Sequence, residues 1–249
     1  VSFVVGAVAR FTPATPLWLD EALSVNIASA PLGEIDDLLR HDGHPPLYYW
    51  LLHLWMDVFG DGDVAVRALS GVLGLLAVAL VYVVARRLAG PTTGVLAAVV
   101  LAASPYGIRY SAEARMYELV VVLVLVGWLL LQRSLDAVPT RRAPRALVLA
   151  ALAVVSGALL LTHYWSVFLL GAVLVVLAVT AWRTPDAEER RPIVVSGVAV
   201  AAGGVFLLPW LSVMRYQMEH TGTPWAPAPR PTRIASESLA DFTGGGFPE

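Results

Sequence analysis

The stretch VAVRALSGVLGLLAVALVYVVARR, residues 64–87, decides the fold class of this chain. It is apolar almost throughout and ends at two adjacent arginines, Arg86 and Arg87. Crossing the hydrocarbon core of a bilayer takes ~20 consecutive apolar residues in an α-helix. The run over 64–85 is long enough, so we predict that it spans a membrane.

The rest of the chain repeats this pattern. Of its 249 residues, 57% are hydrophobic and only 14% are charged, and the mean hydropathy is +0.69. This balance is typical of membrane proteins rather than of soluble domains. We therefore predict an all-α, polytopic transmembrane helical bundle that forms one domain over residues 1–249. About six membrane-spanning helices are expected within 64–210, at 64–85, 92–108, 116–132, 146–162, 166–182 and 193–210.

Cysteine content and net charge exclude some chemistries. The chain has no cysteine, which excludes disulfides, thiolate metal sites and a cysteine nucleophile. The net charge of −2 indicates no particular partner, and we expect no nucleic acid among the partners.

The loops between the apolar runs alternate in charge, and this alternation predicts their orientation. One set is short and rich in arginine, with Arg86, Arg87, Arg133, Arg141, Arg142, Arg145, Arg183, Arg190 and Arg191. The positive-inside rule places this set on the cytoplasmic side. The segments 13–63, 109–115, 163–165 and 211–249 then lie on the outer side, with 13–63 as a long first outer loop.

The segment HPPLYYWLLHLWMDVFG (44–60) would reverse this orientation if it crossed the membrane. It is short, contains His53 and Asp57, and concentrates aromatic side chains. Such a composition is typical of a helix that lies in the membrane interface. Crossing would also put the arginine pair after 64–85 on the outside, against the positive-inside rule. We therefore predict that the first outer loop contains interfacial helices and that 44–60 does not cross.

Asp20 and Glu21 are adjacent carboxylates within PLWLDEALSVN (16–26). Asp20 could cap a short helix that begins just after it, since carboxylates are favoured at helix N-termini. It could also be a general base or a metal ligand at the membrane surface. The two interpretations are compatible, because a cap also fixes the direction of the carboxylate.

A second group of polar side chains lies at the mouth of the third predicted span. It consists of Arg109, Tyr110, Glu113, Arg115, Tyr117 and Glu118, within PYGIRYSAEARMYE (105–118). Arginine binds phosphate through two parallel hydrogen bonds, which suits a lipid phosphate at headgroup depth. Membrane anchoring is the alternative explanation. If 112–118 is helical, Arg115 and Glu118 share one helix face.

Two histidines belong to the same predicted side. His44 stands before Pro45 and Pro46, where it could donate to an anionic ligand or simply begin a helix at the surface. His163, within THYW (162–165), lies between two apolar runs and is either part of an aromatic belt or part of a site. Separate parts of the chain thus bring polar side chains to one side, and this convergence is the functional signal.

Together these stretches resemble the GT-C glycosyltransferases that use polyprenyl-phosphate sugars, in particular bacterial relatives of the protein O-mannosyltransferases and lipid A aminoarabinose transferases. The resemblance is carried, in order, by WLDEA (18–22), HPPLYYW (44–50), RYSAEARMYE (109–118), THYW (162–165) and PWLSVMRYQ (209–217) with the later Trp225. It implies a GT-C fold, with interfacial helices in the first outer loop. It also implies an integral protein of the bacterial plasma membrane whose active site faces the periplasm or exterior.

The resemblance also implies roles for individual residues. Asp20 would be the catalytic acid-to-base residue, and Glu21 would assist it. The residues expected to bind the donor phosphate or substrate are His44, Arg109, Tyr110, Glu113, Arg115, Tyr117 and His163. Some relatives bind metal through an acid just ahead of the residue that precedes the paired prolines, where this chain has Gly43. No cofactor is therefore certain, and a divalent metal is left open.

The chemistry implied is direct displacement at a sugar carbon. The donor is a polyprenyl-phosphate-linked sugar, whose phosphate leaves readily once arginine or histidine balances its charge. The acceptor hydroxyl attacks from the opposite face and loses its proton to a carboxylate, which inverts the anomeric centre. The sugar is expected to be mannose-like or another sugar, and the acceptor a protein, glycolipid or polysaccharide.

The alternative class is a polytopic transporter or lipid flippase. Transporters place ionisable groups near the membrane midplane and often contain inverted repeats. Here the predicted span interiors are nearly free of charge and no repeat is visible, which favours the transferase. A scaffold subunit would leave the outer polar cluster unexplained. Since the family usually continues with more spans, we also expect that the chain is truncated and lacks part of the first helix and the acceptor-side half.

Overall fold

The computed structural model describes residues 2–12, 15–136, 145–221 and 230–243, and the regular structure in these ranges is entirely helical. The all-α prediction is therefore confirmed. In chain order the helices are α1 (Ser2–Ala9), α2 (Leu19–Ala28), α3 (Leu32–Leu39), α4 (Leu47–Phe59), α5 (Asp63–Ala89), α6 (Pro91–Ala103), α7 (Pro105–Ser111), α8 (Tyr117–Leu135), α9 (Arg145–Thr162), α10 (Ser166–Arg183), α11 (Ala187–Ala202), α12 (Leu211–His220) and α13 (Pro231–Thr243), with a 3-10 helix over Gly203–Trp210 between α11 and α12.

The long helices match the predicted spans. Within the described ranges, five uninterrupted runs are long and apolar enough to cross a membrane, or six if the bent pair α6–α7 is one span. Their outward faces carry large apolar side chains, such as Phe168 at 70% and Trp182 at 82% exposure. Such faces suit lipid rather than water. The five uninterrupted runs are α5, α8, α9, α10 and Ala187–His220, the last of which joins α11, the 3-10 helix and α12.

The second predicted span, 92–108, is broken rather than continuous. α6 and α7 meet at an angle of 63° around Ser104. The Ser104 hydroxyl accepts a hydrogen bond from the backbone N–H of Gly107 at 3.2 Å, and Pro105 is the first residue of the new helix. A serine cap followed by proline starts a helix and cannot continue the previous one. The break directs α7 back across the bundle, where it contacts α5 and α8.

Three helices, α2 to α4, occupy the predicted outer loop. α4 has 13 residues, so at ~1.5 Å per residue it is ~20 Å long, short of the ~30 Å hydrocarbon core. The prediction that 44–60 does not cross agrees with this length, while its placement at the interface stays a prediction. α3 was not predicted from the sequence.

One apolar core joins the outer loop to the spans. It is built from Val25 of α2, Tyr48 and Leu52 of α4, Val66 of α5 and Leu119 of α8, all of them buried. These side chains come from segments far apart in sequence, so their burial fixes the outer helices over the ends of α5 and α8. The polar groups described next lie beside this core.

The predicted orientation can be tested by accessibility, since the chain has no cysteine of its own. A membrane-impermeant maleimide should label Gly62→Cys, at the start of α5, only from the non-cytoplasmic side. It should label Pro185→Cys, in the loop between α10 and α11, only from the cytoplasmic side, because the neighbouring loop ends carry the arginines. Labelling of Gly62→Cys from the cytoplasmic side in intact cells would overturn the orientation.

Candidate active site

Glu21 is completely buried and has its acceptor positions filled. Its carboxylate receives two hydrogen bonds from the guanidinium of Arg67, at 2.7 and 2.5 Å. It also accepts from the backbone N–H of Ala114 at 2.8 Å and of Trp18 at 3.2 Å. A carboxylate so occupied has little capacity left for a substrate. The structure therefore places Glu21 in the support beneath the site.

Asp20 has the opposite environment. α2 begins at Leu19, one residue before Asp20, so Asp20 lies in the first turn and not at the cap position that the sequence suggested. Its side chain is 41% exposed, and one carboxylate oxygen lies 3.7 Å from a guanidinium nitrogen of Arg115. A carboxylate in the first turn is favoured by the helix dipole. The Asp20 carboxylate thus lies close to Arg115 on one side and is accessible to solvent on the other.

Arg115 lies in a non-helical turn. α7 ends at Ser111 and α8 begins at Tyr117, so the condition for Arg115 and Glu118 to share a helix face is not met. Instead, Arg115 points to α2, while Glu118 accepts a hydrogen bond from the hydroxyl of Ser111 at 2.8 Å. The two side chains therefore have different partners, because the turn separates their directions.

Three buried arginines can be compared by how well they are bonded. Arg10 donates to four acceptors at 2.8 to 3.1 Å, and Arg67 to four at 2.5 to 3.0 Å. Arg115 donates at 3.0 Å to the hydroxyl of Ser24, but its other hydrogen bonds are 3.3 and 3.4 Å long. Its Nε is buried without a partner. Since good N–H···O bonds are 2.7–3.2 Å long, Arg115 is a buried cation with unused donor capacity.

His44 is the neighbour that completes this cluster. Its Nδ1 lies 2.9 Å from Asp42, and its Nε2 lies 3.4 Å from a terminal nitrogen of Arg115. Because a guanidinium can only donate, Nε2 must be the acceptor and Nδ1–H must donate to Asp42, an assignment inferred from the network. We refer to Asp20, Ser24, Asp42, His44 and Arg115 as the Arg115 cluster.

Asp42 was not singled out by the sequence reasoning. The hydroxyl of Tyr49 donates at 2.5 Å to the same carboxylate oxygen of Asp42 that His44 contacts. Burial raises the pKa of Asp42, but the hydrogen bonds from His44 and Tyr49 and the positive charge of Arg115 outweigh it, so the pKa lies below its usual range. Asp42 therefore stays ionised and fixes the orientation of His44. The polar turn His41-Asp42-Gly43 was the available signal.

A cavity of about 540 Å³ adjoins the Arg115 cluster. Its lining includes the rings of Tyr110, Tyr117 and His163, the carboxylate of Glu118 and apolar side chains such as Val121 and Leu169. His163 connects the two regions, because its ring centroid lies 6.3 Å from that of His44 and 6.5 Å from that of Tyr117. A cavity with a largely apolar lining and a few polar groups fits a ligand with a polar head and a hydrocarbon chain.

The remaining predicted residues lie at the edge of this region. Arg109 pairs with Glu113 at 3.0 Å, and its side chain is 43% exposed. Burial raises the pKa of Glu113, partly offset by that arginine. Burial, together with the positive charge of Arg115, lowers the pKa of His163. His163 is therefore neutral at pH 7 and able to accept or donate a hydrogen bond.

A metal ion is not supported by the donor geometry. Across residues 2–12, 15–136, 145–221 and 230–243, no three His, Asp or Glu side chains lie close enough together to hold one. Asp42 and His44 carry suitable groups but are bonded to each other. The divalent metal left open by the sequence has no set of ligands among these residues, so no chemical step is assigned to a metal.

The fold and site define a polytopic membrane protein of the GT-C type. Two solved structures are similar over 98% of this chain. One is a crystal structure of ArnT from Cupriavidus metallidurans bound to undecaprenyl phosphate, with a TM-score of 0.67, 18% identity and 48% of the ArnT chain covered. The other is the apo state of the same protein, with a TM-score of 0.62, 16% identity and 47% coverage. The chain thus spans about half the length of the structures it matches.

Residues 43–211 match the family model of the dolichyl-phosphate-mannose-protein mannosyltransferases, and the chain belongs to this family. The matched range contains His44, Arg115 and His163, whereas Asp20 and Glu21 precede it. A comparison with curated proteins finds no match. The resemblance to GT-C transferases inferred from the sequence is therefore confirmed.

The ion pair of Glu21 and Arg67 should be a strong determinant of stability. Arg67→Met leaves the Glu21 carboxylate buried without a counter-charge, which typically costs ~3–5 kcal/mol. The matched control is Arg215→Met, which removes the exposed pair with Glu219 and should cost less than ~1 kcal/mol. The measurement is unfolding of both variants in detergent. Equal, small losses for the two substitutions would contradict the structural role of Arg67.

Proposed function

We propose that the chain carries the donor site of a membrane glycosyltransferase. The enzyme moves a sugar from a polyprenyl-phosphate donor to an acceptor hydroxyl, with inversion at the anomeric carbon. Membership of the mannosyltransferase family supports this proposal. So does the similarity in fold to ArnT, which was crystallised with undecaprenyl phosphate. The family description favours a mannose-like sugar, and the acceptor is a protein, glycolipid or polysaccharide.

The observation that carries the proposal is the state of Arg115. It is a buried cation with one good hydrogen bond, to Ser24 at 3.0 Å, two longer ones and an Nε without a partner, beside the half-exposed carboxylate of Asp20. A phosphate oxygen is a stronger acceptor than the neutral groups that now accept hydrogen bonds from Arg115, and charge-assisted bonds to it are short. We assign Arg115 to the leaving phosphate, with His44 as a second contact that donates from Nε2 when the ring carries both protons.

The adjoining cavity suits the rest of the donor. The aromatic part of its lining, at Tyr110, Tyr117 and His163, lies next to the Arg115 cluster and would hold the sugar-phosphate end. Its apolar wall, which includes Val121 and Leu169, would hold the first isoprenoid units. Leu169 is 41% exposed on the outside of the bundle, so the lipid chain could continue from there into the bilayer.

Asp20 then acts as the general base. The acceptor oxygen attacks the anomeric carbon while the bond from that carbon to the phosphate oxygen breaks, and the phosphate leaves with the electron pair. Asp20 takes the proton from the attacking hydroxyl, and Arg115 balances the charge that develops on the phosphate. Glu21 assists indirectly, because its hydrogen bonds to Arg67 and Ala114 hold the neighbouring residues Asp20 and Arg115 in place.

The reaction is assigned to the non-cytoplasmic face of a bacterial plasma membrane. The arginine-rich loops favour the opposite side as cytoplasmic, and the Arg115 cluster is formed by the segments predicted to lie outside. A lipid-phosphate sugar presented on that face carries its own activation, so no nucleotide is required there.

Asp20→Asn tests the base directly. The amide keeps the size of the side chain but cannot take a proton, and loss of a general base typically lowers the rate roughly 10²–10⁴-fold. Transfer should be measured with purified full-length protein and a panel of labelled polyprenyl-phosphate sugars. Binding of undecaprenyl phosphate to the variant should remain.

The control is Asp37→Asn, which removes an exposed carboxylate from α3 in the same outer loop and should leave transfer unchanged. Asp20→Glu should restore part of the activity, since it restores a proton acceptor. Transfer by Asp20→Asn at close to the wild-type rate would rule out Asp20 as the base.

A further inference from the structure

α12 forms the end of the last candidate span, Ala187–His220, and makes a specific contact with the turn that contains His44. Gln217 of α12 is 2% exposed. Its amide nitrogen donates to the backbone carbonyl of Leu39 at 2.6 Å and to that of His44 at 3.1 Å. Both hydrogens of one side-chain amide are therefore used to hold the two ends of the turn between α3 and the paired prolines. Gln217 lies outside the range 43–211 that matches the family model.

The amide oxygen of Gln217 is held from the other side. The indole N–H of Trp210 donates to the hydroxyl of Tyr164 at 2.7 Å, and that hydroxyl donates to the Gln217 oxygen. An indole nitrogen can only donate, so the tyrosine hydrogen must go to Gln217. This fixes the amide with its nitrogen toward the turn. We call the series from Trp210 through Tyr164 and Gln217 to the two carbonyls the α12 hydrogen-bond chain.

The end of α12 also approaches the turn closely. Gly43 has a φ of +91°, a conformation that favours glycine. A Cβ at that position would lie 3.1 Å from the hydroxyl of Thr221, which itself donates to the backbone carbonyl of Gln217 at 2.7 Å. Residues 39 to 44 are thus shaped against α12, and the turn has little freedom to move independently of it.

We propose that Gln217 is a positioning residue for the donor-phosphate site, acting through the backbone of His44. This inference rests on the proposed function. The Gln217 amide fixes the carbonyl of His44, while Asp42 fixes its ring. The ring nitrogen that faces Arg115 then lies 3.4 Å from the guanidinium, so that, with a proton on this nitrogen, both groups can donate to one phosphate. Without Gln217 the turn can shift, and the two contacts no longer converge.

The tail of the sequence resemblance, PWLSVMRYQ (209–217), acquires a role in this way. Trp210, near the start of that stretch, and Gln217, at its end, both belong to the α12 hydrogen-bond chain. Tyr164, next to the cavity residue His163, supplies the middle of it. The end of the last candidate span is therefore coupled to the first outer loop at the point where the phosphate is expected to bind.

The test uses binding of undecaprenyl phosphate to the full chain in detergent, with thermal unfolding measured in parallel. Gln217→Leu should weaken binding roughly 10- to 100-fold, the range expected when a binding group is misplaced by about 1 Å. Tyr164→Phe should weaken it less, because only the bond that orients the amide is lost. Met218→Leu, at the next and 76% exposed position of α12, is the control and should bind like the wild type.

A double-mutant cycle separates positioning from general stabilisation. In a His44→Ala background, Gln217→Leu or Tyr164→Phe should weaken binding little further, because the group being positioned is already absent. Equal effects in the two backgrounds would overturn the proposal, as would wild-type affinity in both Gln217→Leu and Tyr164→Phe. If Gln217→Leu does not fold, the double-mutant cycle is measured with Tyr164→Phe and His44→Ala alone. Failure of the wild-type chain to bind the lipid phosphate would instead refute the proposed function.

Discussion

The buried carboxylate of Glu21 holds the outer face together. It joins α2 to the first long span through Arg67, and to the turn before α8 through the backbone N–H of Ala114. The neighbouring residues then face each other, since Asp20 precedes Glu21 and Arg115 follows Ala114. A buried charge without its partner costs ~3–5 kcal/mol, so the loop, the span and the turn must assemble as a unit. The distance between the Asp20 carboxylate and the Arg115 guanidinium follows from that assembly.

Arginine serves two physical purposes in this structure. Arg10 and Arg67 have a hydrogen-bond partner at every guanidinium nitrogen, at 2.5 to 3.1 Å, so they connect segments. Arg115 is buried to a similar extent but is bonded poorly, which is unfavourable in the free protein and useful only if an acceptor arrives. The ionised Asp42 fixes the ring of His44, and the acceptor nitrogen of that ring helps to hold Arg115 in place. The cation whose hydrogen bonds are incomplete thus lies where the phosphate is expected to bind.

The sequence was informative about the spans and less so about the site. Long apolar runs determine helices at 64–85 or 146–162 without any tertiary information, because burial in lipid requires internal hydrogen bonding. The break at Ser104 and Pro105 was present as a cap signal but was hidden inside an apolar run. Asp20, His44 and Arg115 were grouped by the predicted topology and by resemblance, and the structure brings them together. The roles of Arg67 and Gln217 could not be predicted, since each depends on partners distant in sequence, 46 residues away for Glu21 and 173 for His44, that no local pattern reveals.

The central claim is that Arg115 receives the phosphate of a polyprenyl-phosphate donor. Equilibrium binding of undecaprenyl phosphate to wild-type protein, Arg115→Lys and the control Arg215→Lys tests it most directly. Arg115→Lys keeps the charge but loses the planar fork that matches a phosphate, so it should bind about tenfold or more weakly. Arg215, exposed on α12, should tolerate the same change. Equal affinity of all three proteins would contradict the account.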